Sequence, residues 1–216
     1  MEKMTDITKH ITSHVKLNSK LKDIWSNDNF YTFLKTPSNL TVTSSKKNEH
    51  AKSIIIQGLN QNWELIKEKV LLNTFSKNKF IRVNRVHVDE ITTMNSCNIG
   101  NLSITNDENK TIAYIPSQTG SSDSSLFTIP LGYTGYMNEF SINSDNNSKV
   151  NIYYCKNALS FIPCRKLLTK LNIHNQYNRN FHNPISFSEK TDIWAEASSP
   201  ISTNLNFHYS ITLIKN

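Results

Sequence analysis

Five glycines, at 58, 100, 120, 132 and 135, are all that this 216-residue chain contains. So few, so scattered, exclude a P-loop and a dinucleotide-binding fingerprint, which need clustered glycines to bring backbone amides against phosphate. No G-x-S-x-G nucleophile elbow is present. The three cysteines, Cys97, Cys155 and Cys164, leave one unpaired whatever the others do, and the C-x8-C spacing of the last two fits no zinc knuckle. Buried free thiols are the expectation. No apolar run approaches the roughly 18–20 residues that span a bilayer. The opening MEKMTDITKHITSH lacks the apolar core of a secretory signal, so synthesis and folding in a cytoplasm are expected.

What the chain does have is charge and polar turn residues. Its formal net charge is +7, with lysines strewn along the chain and mild clusters at Lys46-Lys47 and from Lys67 to Arg85. No nucleic-acid signature interleaves aromatics with these cations, so a solvated surface is the expectation and nucleic-acid binding is not. Asn, Asp and Ser replace the missing glycines in turns. The length is enough for one large domain or two small ones.

The stretch Ser125–Asn143 reads as strand, turn, strand. Phe127 and Ile129 alternate before Pro130, which ends a strand because it cannot donate to a central ladder. Gly132 suits the positive φ of a tight turn, and Gly135 suits close packing just beyond it. Tyr136, Phe140 and Ile142 are then taken as one apolar face, with Met137, Glu139 and Ser141 between them. Residues 1–25 read as an arm. Ile7, Ile11 and Val15 make a helical stripe, Lys3, Lys9, Lys16 and Lys20 supply charge, and Leu21, Ile24 and Trp25 plug into a core. Burial against a neighbouring subunit is the expected use of that stripe.

Beyond the arm, short β-rich runs recur between polar turns: 40–43, 54–57, 80–88, 99–105, 111–115, 150–154, 161–171, 184–187, 192–197 and 205–213. Residues 63–72 satisfy both a helical and a strand period. Valines 83 and 86 have opposite parity, which predicts a β-bulge near Asn84-Arg85 or a strand covered on both faces. Strand spacing of this kind means an antiparallel sandwich or barrel. The expected fold is all-β, a jelly-roll-like antiparallel β-sandwich with an N-terminal arm. Residues 26–115 would form a β-rich N-terminal half and 116–216 the sandwich, the two halves being left open as one domain or two. Phe127, Tyr136, Phe140, Phe207, Tyr209 and Ile211 are expected to share one core.

Candidate chemistry is thin. His10 and His14 sit at a metal-gripping spacing but lack a third ligand. Glu189, Asp192 and Glu196 suggest a glycosidase pair, yet acids at turns are mostly there to hydrogen-bond backbone amides. Asp89-Glu90 and Asp107-Glu108 are further pairs without a partner base. Asp145-Asn-Asn-Ser148 lacks the spaced ligands of a calcium loop. Trp25, Trp63, Trp194 and the eight tyrosines could form a sugar platform, but core burial is the commoner use of aromatics. Asn39, Asn101 and Asn109 open glycosylation triplets, as expected by chance in so Asn-rich a chain. No catalytic, cofactor-binding or metal residue is assigned, and no cofactor is expected.

Several pieces in order resemble one family, the β-rich virion structural proteins of tailed phages of aquatic bacteria and of related large DNA viruses. They are DIW at 23–25, IIIQGLNQNWELIKEKVLLN at 54–73, FIRVNRVHV at 80–88, IGNLSIT at 99–105, FTIPLGYTGYM at 127–137 and EKTDIWAEA at 189–197, with the alternating last strand. The resemblance spans roughly residues 21–214 and implies a strand hairpin at 62–72. It further implies a non-enzymatic virion protein, capsid-associated as a minor or decoration component. The alternative is a tail or fibre component with a carbohydrate-binding role. Implied partners are other virion proteins, copies of itself and, for the alternative, a host surface glycan, with no membrane. Localisation would be the virion, after synthesis in the host cytoplasm.

Overall fold

The computed structural model describes residues 6–27, 30–91, 97–156 and 165–216. Within them the fold is all-β, with fifteen strands. In chain order these are β1 (Ile7–Leu17), β2 (Lys22–Asp23), β3 (Thr41–Ser44), β4 (Ala51–Asn60), β5 (Leu65–Leu71), β6 (Phe80–Ile91), β7 (Leu102–Thr105) and β8 (Thr111–Ile115). The second half holds β9 (Phe127–Thr128), β10 (Tyr133–Ser144), β11 (Ser148–Cys155), β12 (Arg165–Ile173), β13 (Gln176–Phe187), β14 (Asp192–Ser198) and β15 (Thr203–Lys215). The chain divides into two compact units, residues 1–29 with 124–216, and residues 30–123. The boundary lies at 123/124 rather than at 115/116. Lys3, Phe161 and Cys164 lie outside the described residues.

The first unit is a sandwich of two antiparallel sheets. One has the order β1-β15-β10-β13 and the other β12-β11-β14-β2, with β9 also on β14. Inward side chains from both sheets meet in a single core that includes Val15, Phe140, Ile152, Ile193, Phe207 and Ile211. β15 organises it. Leu205, Phe207, Tyr209, Ile211 and Leu213 are all buried, while the neighbouring Asn204 and Asn206 face out. Tyr209 carries a polar group into this core, its hydroxyl donating to Ser125 O at 2.7 Å. Ser125 in turn donates its amide to Ile24 O at 2.9 Å, and its hydroxyl accepts from Ala195 N at 3.1 Å. One serine thus ties the two sheets together.

The expected arm is instead the first two strands of this sandwich. β1 pairs with β15 along its whole length, from Ile7 opposite Leu213 to Leu17 opposite Thr203. The Ile7, Ile11, Val15 stripe serves a strand face equally well, because a spacing of four is even in a period of two. Ile11, Val15 and Leu17 are buried in the chain's own core, with no neighbouring subunit needed. β2 then runs along β14, with Asp23 opposite Glu196, and Ile24 continues the pairing through its amide to Ala195 O at 2.9 Å. After residues 25–126 the same edge resumes as β9, with Phe127 opposite Ile193 and Thr128 opposite Asp192. The second unit is therefore an insertion into a single edge strand.

Two further expectations change. Residues 125–143 are no hairpin: β9 belongs to one sheet and β10 to the other, so Pro130 and Gly132 (φ 76°) form a corner between sheets. Gly135 is packed so closely that a Cβ there would lie 2.3 Å from Ile129 Cδ1. Tyr136 is not in the core. A bulge at Asn138 shifts the register between Met137 and Glu139, so Met137 and Phe140 both point inward and Tyr136 points out. The other five proposed core residues are buried together.

The second unit holds two three-stranded sheets, β3-β7-β8 and β5-β4-β6. Residues 65–71 form a strand, not a helix, returning from β4 through a turn in which Trp63 has φ 65°. The bulge expected near Asn84 is present, since Gln57 pairs with Arg85 but Gly58 with Val83. Gly58 allows that crossing, because a Cβ would lie 2.1 Å from Arg82 O. Arg82 is fully buried, donating to Leu34 O and Ile81 O, with its guanidinium over the rings of Phe33 and Trp63.

Candidate assembly surface

Apart from Asp107, the acidic groups singled out in the sequence have structural partners. Glu189 accepts the amide of Gly132 at 2.7 Å and so closes the sheet-to-sheet corner. Asp192 is buried and accepts from Thr128 Oγ1 at 2.7 Å. Glu196, buried, pairs with Arg165 at 2.7 Å, and that guanidinium also lies 3.8 Å from the centre of the Tyr153 ring. Asp89 and Glu90 share Lys69, and Glu108 pairs with Lys110. Asp145 accepts from Asn204 Nδ2, and Ser144 and Ser148 bond each other, so residues 144–148 form a turn held by its own side chains. Nothing in these arrangements aims an acid at a cleft.

His10 and His14, with His208, lie on the outer face of the β1–β15 pair. His10 stacks on His208 with ring centroids 5.7 Å apart, His208 Nδ1 bonds Thr12 Oγ1, and His14 Nδ1 bonds Asn206 Oδ1. Among the described residues no cluster of three or more His, Cys, Asp or Glu could hold a metal ion. Cys97 and Cys155 are half-buried rather than buried. Trp25, Trp63 and Trp194 are all buried, Trp194 stacked on Tyr153 at 5.6 Å, so none offers an open sugar platform. A depression of about 430 Å³ at one end of the sandwich is lined by residues 147–149, 172–174 and Pro200, with no Tyr, Trp or Phe.

Glu49 is the strongest polar anchor of the second unit. Its carboxylate accepts the amides of Ile99 and Gly100, each at 2.8 Å, those of His50 and Ala51, and the hydroxyl of Ser44. Burial pushes its pKa up, but the bonds from Gly100, Ile99, Ala51 and Ser44 together outweigh burial and hold it below the usual glutamate value. Asn98 does similar work, its amide nitrogen donating to Gly100 O and Pro116 O and its oxygen accepting from Gly120 N.

The first unit also leaves strand edges unpaired among the described residues. β1 and β13 end one sheet of the first unit, and β12 ends the other. Sequence reasoning missed most of β13, since residues 176–184 are largely exposed and show no apolar alternation. It also passed over a countable signal: residues 146–188 contain no Asp or Glu but six Lys or Arg. The fold gathers that acid-free stretch into β11, β12 and β13, so the two edges on it are basic.

No family model matches the chain, and no curated protein matches it. Among solved structures it is similar to that of the infectious bursal disease virus Gx strain, with 12% identity over 96% of this chain and 72% of the other, at a TM-score of 0.20. The VP2 subviral particle of infectious bursal disease virus gives 11% identity over 97% and 72%, with a TM-score of 0.24. The Gt strain structure gives 10% identity over the same shares, at 0.19. Scores this low carry no argument, and the fold stands on its strand pairing.

Proposed function

We propose that this chain is a non-enzymatic structural component of a virion, associated with the capsid as a minor or decoration protein through protein–protein contacts. The observation that carries the reading is the strand order of the first unit. With β2 and β9 counted as one interrupted strand, eight strands run 1-8-3-6 in one sheet and 5-4-7-2 in the other. That order is the jelly roll's, an architecture used by viral capsid and lectin domains. Architecture alone does not assign function. Support for the virion comes from the resemblance of six motifs, in order, to β-rich virion proteins.

Partners on this reading are a major capsid or tail protein and copies of this chain, and the site of residence is the virion. The fitted acids of the first unit, each holding a turn, a hydroxyl or an arginine, favour a structural over a catalytic role. The carbohydrate-binding alternative on a tail or fibre shares the architecture, but all three tryptophans are buried and none is available to stack on a sugar. The test is to purify intact particles from infected cells and locate the chain by electron cryo-microscopy. Density for the sandwich on the shell is expected. Its absence from purified particles would overturn the reading, and its presence only at a tail tip would favour the alternative.

A further inference from the structure

We propose that β12 is a docking edge for an extended, acidic segment of a partner protein, which adds to it as one more antiparallel or parallel strand. The proposal deepens the assembly reading by naming the surface and the chemistry of what it takes.

Among the described residues β12 pairs on one side only, with β11, so the other side presents a row of unused backbone donors and acceptors. Such an edge binds an extended peptide through its ladder, with side chains giving specificity. Apart from the short β2/β9 edge, the three edges of this unit differ. β13 is blunted, because Pro184 cannot donate and the register jumps from Met137 opposite Ile185 to Glu139 opposite Asn180. β1 is unblunted but offers no apolar grip, since Ile11, Val15 and Leu17 are buried and its exposed residues are Thr, His and Lys. β12 has an apolar grip and only a one-residue bulge, at Leu168, where the register steps from Ile152 opposite Thr169 to Tyr153 opposite Leu167. It contains no Pro or Gly, Leu167 is 52% exposed on one face, and Leu168 and Leu171 are half-buried on the rim of the core.

Charge selects the partner. Arg165 is engaged by Glu196, but Lys166 and Lys170 make no ion pair among the described residues, and no acid occurs from 146 to 188. Lysines on an edge also guard against self-pairing. Here the two roles agree: the equally basic β12 of a second copy is repelled from this edge, while an acid-bearing strand is drawn in. Aliphatic leucines rather than exposed aromatics between the cations, beside an open ladder, fit a polypeptide better than the stacking that single-stranded nucleic acid uses.

The test uses the full-length chain as bait for a displayed library of random twelve-residue peptides, with a single-stranded twenty-nucleotide DNA as a parallel probe. Enrichment of peptides mixing Asp or Glu with Val, Ile or Leu is expected. K166E/K170E, at exposed positions and checked for an unchanged melting midpoint, should weaken the selected peptides at least tenfold. N-methylation of alternate amides on the ladder-facing side should abolish binding, and added salt should weaken it. No enrichment, acid-poor peptides, indifference to K166E/K170E or to N-methylation, or DNA bound more tightly than the peptides would each overturn the proposal. The chain's presence in purified particles is a separate result, so either reading can fail alone.

Discussion

The two units of this chain are held together by different means. The first has long strands and one continuous apolar core between two sheets, to which β15 contributes five buried side chains. The second has shorter sheets, and its loops are fastened by polar side chains reaching backbone: Glu49 to Ile99 and Gly100, Asn98 to Pro116 and Gly120, Ser76 and Asn39 across the 76–78 turn. Apolar burial is non-directional and scales with area, so the first unit should respond to lost volume. Hydrogen bonds to backbone are geometric and, for a carboxylate, protonation-dependent, so the second should respond to single polar changes and to acid.

The largest expected effect is therefore in the first unit. Phe207→Ala removes a fully buried ring at the centre of the core and should cost about 3–5 kcal/mol in denaturant melts. A loss below about 1 kcal/mol, in the surface range, would show that the two sheets do not share this core.

Next comes Glu49→Gln, which removes the charge from a group accepting four amides. A loss of about 1–2 kcal/mol is expected, discounted for the part of the carboxylate that water screens. Its pKa is lowered in the folded state, so its contribution is present above the unfolded glutamate value and is lost as pH falls through the folded one. Melts of the wild-type chain between neutral pH and the acid side of the ordinary glutamate range should show that loss, and the Gln variant should show less of it. Equal acid slopes in both would remove Glu49 from the account.

The smallest effect is Tyr209→Phe, about 1 kcal/mol for one hydrogen bond inside an otherwise unchanged core. Burial raises the Tyr209 pKa well above 10.0, so the neutral phenol stabilises the fold fully below that value. The contribution is lost only as pH rises toward the raised folded value, and the Phe variant should lack that alkaline sensitivity.

How much of this was legible depended on whether apolar parity ran unbroken. In β15 it did, over five consecutive inward residues, and the strand was plain. In β1 the inward positions are Ile7, Lys9, Ile11, Ser13, Val15 and Leu17, and two polar residues among them disguise a strand as a helical stripe. In β10 one extra residue, Asn138, reverses the parity, so Tyr136 was assigned to the wrong face. The interrupted edge strand was invisible because its two halves are only Lys22–Asp23 and Phe127–Thr128, too short for any period. The acids were readable as structural, since turns use carboxylates to hold amides. The basic edge was readable in principle, from the absence of acids over 146–188, but its position at a sheet edge depends on pairing that no local pattern encodes.

The central claim is that residues 7–17 are the first strand of the sandwich and not an arm. Amide hydrogen exchange on the full-length chain tests it most directly. Alternate amides of 7–17, those that bond to β15, should exchange with protection comparable to amides of β15 itself, opening only with the sandwich. Exchange throughout 7–17 at the rate of an unstructured peptide, with β15 still protected, would contradict it.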